Sequence, residues 1–142
     1  MFLNYKSILL WVVILLTGSL NEVKSQSIVS KSYYTEGGDV KVSVTITDGP
    51  GNPKDWIGIY KDGQEPGKVD AFTWIYVDGT QSGNTGVDSV TLSLPYWTSN
   101  VKFIAGKYKA YLLENDGFTI LASTSFIVTN ANEANTPPTA LG

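Results

Sequence analysis

The sequence contains no cysteine, no histidine and no arginine. Without cysteine there is no disulfide, no thiolate metal ligand and no thiol nucleophile, so the fold depends on its core and its hydrogen bonds. Without histidine, a Ser-His-Asp triad, a Cys-His pair and the usual zinc sites are excluded. Catalysis would need carboxylates, lysine or tyrosine, and a small domain has little room for the cleft that paired carboxylates require. The sequence therefore predicts a protein that is not an enzyme and uses no cofactor or metal.

The charge balance also limits the partners. The chain has ten lysines and 13 acidic residues, which gives a net charge of −3. Proteins that bind nucleic acid neutralise phosphates with a cationic surface and favour arginine for reading bases. An anionic membrane surface would repel this chain for the same reason. We therefore expect neither nucleic acid nor membrane as a partner.

The first 25 residues have the layout of a secretory signal peptide. Lys6 precedes an apolar run over residues 8–16, and Val23 and Ser25 stand three and one residues before a cleavage site at Gln26. The alternative is an uncleaved membrane anchor, but the run is shorter than the roughly 20 residues that span a bilayer. We expect cleavage, and hence a secreted or cell-surface protein without a membrane segment.

The rest of the chain has the pattern of strands and turns. Residues 40–47 alternate apolar and polar side chains, the period of a half-buried strand, and a segment rich in glycine and proline follows. No helical period is present beyond the N-terminal run. Further strands are predicted at 27–34, 56–61, 72–77, 87–94, 108–114 and 118–128, with a short strand or extended lead-in at 101–104. Over residues 26–129 this predicts an all-β, Ig-like or fibronectin-III-like antiparallel sandwich of about seven strands in two sheets.

The composition changes near the C-terminus. Residues 130–142 are polar, contain Pro137 and Pro138, and have few large apolar groups, so they cannot bury enough surface to order themselves. They are predicted to form a linker or tail. Two alternatives stay open: a linker to a further domain, and a natural C-terminus.

Two aromatic residues are typical marks of an immunoglobulin-like sandwich. Trp56 begins a predicted strand, and Tyr108 follows Gly106 near the start of another. Trp56 is predicted to fill the core between the sheets. The Tyr108 hydroxyl is predicted to bind a nearby backbone group as a tyrosine corner.

Three segments carry a resemblance to a known family: 55–60 (DWIGIY), 74–81 (WIYVDGTQ) and 106–118 (GKYKAYLLENDGF). Together they resemble the N-terminal fibronectin-III/Ig-like domain of purple acid phosphatase-type metallophosphatases and related secreted bacterial modules, over roughly residues 27–129. In that family the domain is an accessory module beside the catalytic domain, whose histidine-containing metal site has no counterpart here. The resemblance implies an accessory role, with a neighbouring domain or another surface protein as the partner.

The 72–77 strand holds candidate ligand-binding residues because it is apolar on both faces. If Ile75 and Val77 point inward, then Phe72, Trp74 and Tyr76 form an outward aromatic row that could stack on sugar rings or cover a neighbouring domain. If the other face is inward, the same row belongs to the core.

Trp97 is the third candidate, because it follows a proline at a corner and either caps the core or joins such a surface. Trp74, Tyr76 and Trp97 are therefore the predicted ligand-binding residues. A carbohydrate-binding module is the alternative to an accessory interaction module.

A calcium site is the remaining alternative. Asp48, Asn52 and Asp55 lie in one loop, but calcium needs about six to eight oxygen ligands and the spacing is not that of an EF-hand. Aspartate and glycine are ordinary residues of tight turns, and we expect these to be turn residues.

Overall fold

A computed structural model of the chain describes residues 25–36, 41–95 and 101–131. These residues form eight strands and no helix. The strands are β1 (Ser27–Ser30), β2 (Tyr33–Thr35), β3 (Val42–Thr47), β4 (Trp56–Lys61), β5 (Thr73–Tyr76), β6 (Val90–Leu94), β7 (Gly106–Leu113) and β8 (Ile120–Thr129). Within the described ranges no helix is long and apolar enough to cross a membrane. Nearly all of the predicted signal peptide and tail lies outside them.

The strands form two sheets, as expected for a β-sandwich. The smaller sheet has the order β1-β3-β6 and the larger has the order β2-β8-β7-β4-β5. All pairings are antiparallel except that of β2 with β8, which is parallel. The predicted all-β, two-sheet architecture is therefore confirmed, with eight strands instead of about seven.

The additional strand comes from residues 27–34, which the sequence predicts as one strand. Polar Lys31 and Ser32 interrupt this segment, so β1 pairs with β3 in the smaller sheet and β2 pairs with β8 in the larger. The short strand considered at 101–104 does not form.

The main core lies between the two sheets and follows the period-two pattern. In β3, Val42, Val44 and Ile46 are buried while the residues between them are less so, as the alternation predicts. The larger sheet contributes every second residue of β4 and β7, and aromatic side chains fill one part of the core. Phe103 packs in this aromatic part, edge-on to Tyr108.

The predicted tyrosine corner is confirmed. Tyr108 is buried near the start of β7, and its hydroxyl donates a hydrogen bond to the backbone oxygen of Ile104 at 3.0 Å. Its ring stacks on Phe126 of β8, with the ring centroids 5.5 Å apart. Burial raises the pKa of the Tyr108 hydroxyl. This hydrogen bond holds the extended segment that leads into β7.

The prediction for Trp56 is wrong about its place. Trp56 is buried, but it belongs to a second cluster on the opposite face of the larger sheet, with Tyr60, Tyr111 and Leu113. Side chains alternate between the two faces of a strand. Because Ile57 and Ile59 point into the main core, Trp56 and Tyr60 point to the opposite face. Strand β4 is apolar on both faces, so its sequence could not show which face meets the core.

Candidate functional site

A glycine lies at the centre of the outer face of the larger sheet. Gly58 pairs with Trp74 of β5 on one side and with Tyr111 of β7 on the other. A Cβ at this position would lie 2.8 Å from Cζ3 of Trp56 and 2.8 Å from Cε2 of Tyr60. The missing side chain therefore lets the two rings approach each other and form a continuous aromatic floor.

The rings of this floor contact one another edge to face. Trp56 packs against Trp74 at 6.3 Å between centroids and against Phe118 at 5.9 Å. Trp74 also contacts Tyr76 at 5.3 Å. These distances lie in the range that aromatic pairs prefer, so each ring limits the rotation of its neighbours.

An open groove of about 440 Å³ lies over this floor. One wall is the segment that connects β4 to β5, and the other is the turn between β7 and β8. The volume is within the range of small-molecule sites. The residues that line it are Trp56, Tyr60, Gly67, Lys68, Val69, Asp70, Ala71, Trp74, Tyr76, Asp116 and Phe118. We call this the aromatic groove.

Asp55 fixes the turn that forms one wall. Its side chain is fully buried, with Oδ1 accepting a hydrogen bond from the Asn115 backbone N–H and Oδ2 accepting one from the Asn52 N–H, both at 3.0 Å. Both carboxylate oxygens therefore bind backbone N–H groups and hold two loop segments together. This agrees with the prediction that Asp55 is a turn residue. Within the described ranges, no three acidic, histidine or cysteine side chains come close enough to hold a metal ion.

The turn itself has the backbone that a tight hairpin requires. Asn115 and Asp116 have positive φ angles of 44° and 57°, values that asparagine and aspartate tolerate better than most residues. The Asp116 N–H donates to the backbone oxygen of Lys54 at 2.9 Å. The predicted hairpin is therefore confirmed, and this backbone hydrogen bond joins its turn to Lys54.

A short hydrogen bond joins the floor to this turn. The Tyr76 hydroxyl donates to Oδ1 of Asp116 at 2.5 Å. This hydrogen bond, with burial and the negative charges of Asp116 and Asp78, raises the pKa of Tyr76 to about 12. Nζ of Lys54 lies 4.7 Å from the centre of the Tyr76 ring, a cation–π distance.

Tyr60 has a buried hydroxyl that makes no hydrogen bond to any residue the structure describes. Its side chain is fully buried and its ring packs edge to face on Tyr111 at 5.6 Å. Among the described residues, no group makes a hydrogen bond to this hydroxyl. Burial raises its pKa, and the charge of Asp70 adds to the effect. A buried polar group in this state costs free energy and calls for a functional explanation.

The structure brings together two of the three predicted site residues. Ile75 and Val77 lie in the core between the sheets, so Trp74 and Tyr76 face outward and both line the aromatic groove. The core alternative is therefore wrong for these two residues. Trp97 lies outside the described ranges.

Phe72 does not belong to the outward row. It precedes β5 and packs inward, 5.1 Å from Phe103 and 5.6 Å from Tyr108 between ring centroids. The alternation applies only within a regular strand, and β5 begins one residue later.

Sequence reasoning missed Trp56, Tyr60 and Phe118 as groove residues. The available signal for the first two was a strand that is apolar on both faces, because only one face can meet the main core. Phe118 lies in the predicted strand 118–128, but β8 begins at Ile120. This leaves Phe118 outside the ladder, 55 % exposed at the edge of the groove.

Charged groups surround the aromatic floor. Asp70 and Asp116 are exposed and line the groove. Lys68 also lines it, but its Nζ lies 2.5 Å from the carboxylate of Glu65, and both side chains are largely exposed. The groove is therefore lined by the carboxylates of two aspartates and by Lys68, and the Lys54 ammonium lies over the Tyr76 ring.

No protein-family model matches the sequence, and no curated protein matches it closely enough to count as a relative. Function is therefore inferred from the groove. Its floor is aromatic, its walls carry exposed carboxylates, and Trp74 is 36 % exposed within it. Such a site can bind a ligand that offers both an apolar face and hydrogen-bond donors.

Proposed function

We propose that the chain is a non-catalytic, Ig-like accessory module of a secreted or cell-surface protein. It positions that protein by binding a surface component through the aromatic groove. The observation that carries this proposal is the position of Trp74, which is partly exposed on a floor of contacting rings outside the main core. A large indole held in this way on an open face is typical of a recognition surface.

The strand arrangement supports an Ig-like assignment. The smaller sheet matches strands A, B and E of such folds, and the larger matches G, F and C with two added edge strands, β2 and β5. The tyrosine corner at Tyr108 is a further point of agreement. Trp56 departs from the pattern, because the corresponding tryptophan of immunoglobulin domains packs in the core. The likeness therefore concerns strand order and Tyr108.

The chemistry of the groove supports a binding role more than a catalytic one. Tyr76, with a pKa of about 12, stays protonated at neutral pH and cannot act as a base there. The Asp116 carboxylate that faces it already accepts its hydrogen bond. The chain also has no histidine or cysteine to supply a general base or nucleophile near neutral pH. The resemblance to the phosphatase accessory domains agrees with this role.

Binding to intact cells tests the proposal. The fluorescently labelled secreted protein is incubated with cells of the source organism, and the bound fraction is measured for wild type, Trp74→Ala and Tyr33→Ala. Tyr33 is the matched control, because it is an aromatic residue that is 66 % exposed on β2, away from the groove. We expect Trp74→Ala to weaken binding about tenfold, equivalent to ~1.4 kcal/mol, and Tyr33→Ala to bind as wild type. Equal binding by all three proteins would contradict the proposal.

A further inference from the structure

We infer that the ligand of the aromatic groove is a neutral carbohydrate, with a pyranose ring stacked on Trp74 and its hydroxyls bound by Asp70 and Asp116. The inference rests on the proposed function, since it names the chemistry of the ligand that the same groove binds.

Trp74 supplies the stacking surface. A pyranose ring has a face of C–H groups that is apolar and slightly positive, and it complements the negative face of an aromatic ring. Trp74 is partly exposed, and contacts with Trp56 and Tyr76 already restrict its orientation. Little side-chain entropy is therefore lost when a ring is placed against it.

The two carboxylates supply hydrogen-bond acceptors for sugar hydroxyls. An ionised carboxylate offers about four acceptor positions, and hydrogen bonds from hydroxyls to it are short and strong. The Tyr76 hydroxyl uses one such position on Asp116. Exposed Asp70 lies on the wall formed by the segment between β4 and β5, so each wall of the groove carries a carboxylate.

The Tyr60 hydroxyl is an independent indication of a hydrogen-bonding ligand. It belongs to a groove-lining residue, is buried, and has no partner within the described ranges. Because the hydroxyl is buried, a ligand group in the groove can pair with it only when the side chains that cover it move aside. A quaternary ammonium ion would also suit an aromatic floor, but it carries no hydroxyl to pair with this group.

The charge of the rim favours a neutral sugar. Asp70 and Asp116 line the groove, where Lys68 is paired with Glu65 and Lys54 lies over the Tyr76 ring, and the whole chain has a net charge of −3. An anionic saccharide would meet like charges on both walls. A neutral one meets only acceptors for its hydroxyls.

Competition for cell binding tests the inference. Material released from the same cells is divided into a neutral polysaccharide fraction, freed of protein by protease digestion, an anionic polysaccharide fraction and a protein fraction. Each fraction, and tetramethylammonium chloride as a cationic probe, is added to the binding assay with the wild-type protein. We expect the neutral polysaccharide alone to displace the protein. Its affinity, measured by calorimetry, should fall about tenfold for Trp74→Ala and for Asp70→Asn, and should not change for Tyr33→Ala.

The outcomes separate the inference from the proposed function. Cell binding that depends on Trp74 but is displaced by the protein fraction, the anionic fraction or tetramethylammonium would overturn the carbohydrate and leave the groove as the binding site. Cell binding that does not depend on Trp74 would overturn both. Displacement by the neutral polysaccharide with unchanged affinity for Asp70→Asn would overturn the assigned role of that carboxylate.

Discussion

The indole Nε1–H of Trp56 donates a hydrogen bond to the backbone oxygen of Gly117 at 3.0 Å. The two residues are 61 positions apart, and the bond joins the first residue of β4 to the turn between β7 and β8. This hydrogen bond therefore holds the floor of the aromatic groove against one of its walls. Because Trp56 also contacts Trp74 and Phe118, a substitution at this residue changes the packing of both of these groove residues.

Trp56→Phe should destabilise the protein by roughly 2 kcal/mol, because it removes this hydrogen bond and leaves space in a buried cluster. The free energy of unfolding in urea measures the effect. Trp74→Phe is the matched control, since the same substitution at a partly exposed site should cost less than about 0.5 kcal/mol. Equal costs at the two positions would show that the bond from Trp56 to Gly117 contributes nothing to stability.

Tyr60→Phe should keep or raise stability, by up to about 1 kcal/mol, because it removes a buried hydroxyl that has no hydrogen-bond partner in the described part of the chain. Tyr108→Phe removes a hydroxyl that is hydrogen-bonded to Ile104, so it should lower stability by about 1 kcal/mol. The same atom is deleted in both variants, and urea denaturation compares them directly. A loss of stability in Tyr60→Phe as large as in Tyr108→Phe would mean that the Tyr60 hydroxyl has a partner in solution.

The sequence predicted the strands better than it predicted the directions in which their side chains point. Strand β3 was predicted from its alternation, and the bounds of β4 were also correct, because glycine and proline precede it and Asp62-Gly63 follows it. The orientation of β4 could not be predicted, since residues on both of its faces are apolar. It is fixed by the register with β7, which sets Ile57 opposite Leu112 in the main core.

The groove depends on contacts that are distant in the sequence. Asp55 binds the backbone of Asn115, and Tyr76 binds Asp116, across separations of 60 and 40 residues. No local pattern indicates such pairs. The aromatic 72–77 strand did indicate an exposed surface, and Trp74 and Tyr76 were predicted as candidates on that basis, although Phe72 proved to face the core.

Gly58→Ala should destabilise the protein by about 1–3 kcal/mol, because the new methyl group would lie 2.8 Å from two buried rings. The rings would have to separate, so the near-ultraviolet circular dichroism of the aromatic residues should change as well. Gly63→Ala is a useful comparison, because a Cβ there meets nothing within 4 Å, and its cost arises from a positive φ of 80°. We expect the spectrum of Gly63→Ala to match that of wild type. A wild-type spectrum for Gly58→Ala would contradict the close approach of the Trp56 and Tyr60 rings to Gly58.

Tyr76 should ionise at about pH 12, above the ordinary tyrosine value of 10.0. Because folding raises this pKa, the corresponding stability is fully present below pH 10 and is lost as the pH rises through 12. Asp116→Asn removes the charged acceptor and should lower the pKa of Tyr76 towards the ordinary value. Absorbance titration of tyrosinate in wild type and Asp116→Asn measures the difference. Identical titration curves would contradict the hydrogen bond between Tyr76 and Asp116.

The central claim, that the aromatic groove is the binding site, is tested most directly by nuclear magnetic resonance. The ¹⁵N-labelled protein is titrated with the soluble neutral oligosaccharides released from the cell surface. The largest chemical-shift changes are predicted at the Trp74 indole N–H and at the backbone N–H groups of Asp70 and Asp116. Changes confined to the smaller sheet, with the Trp74 signal unmoved, would contradict the claim.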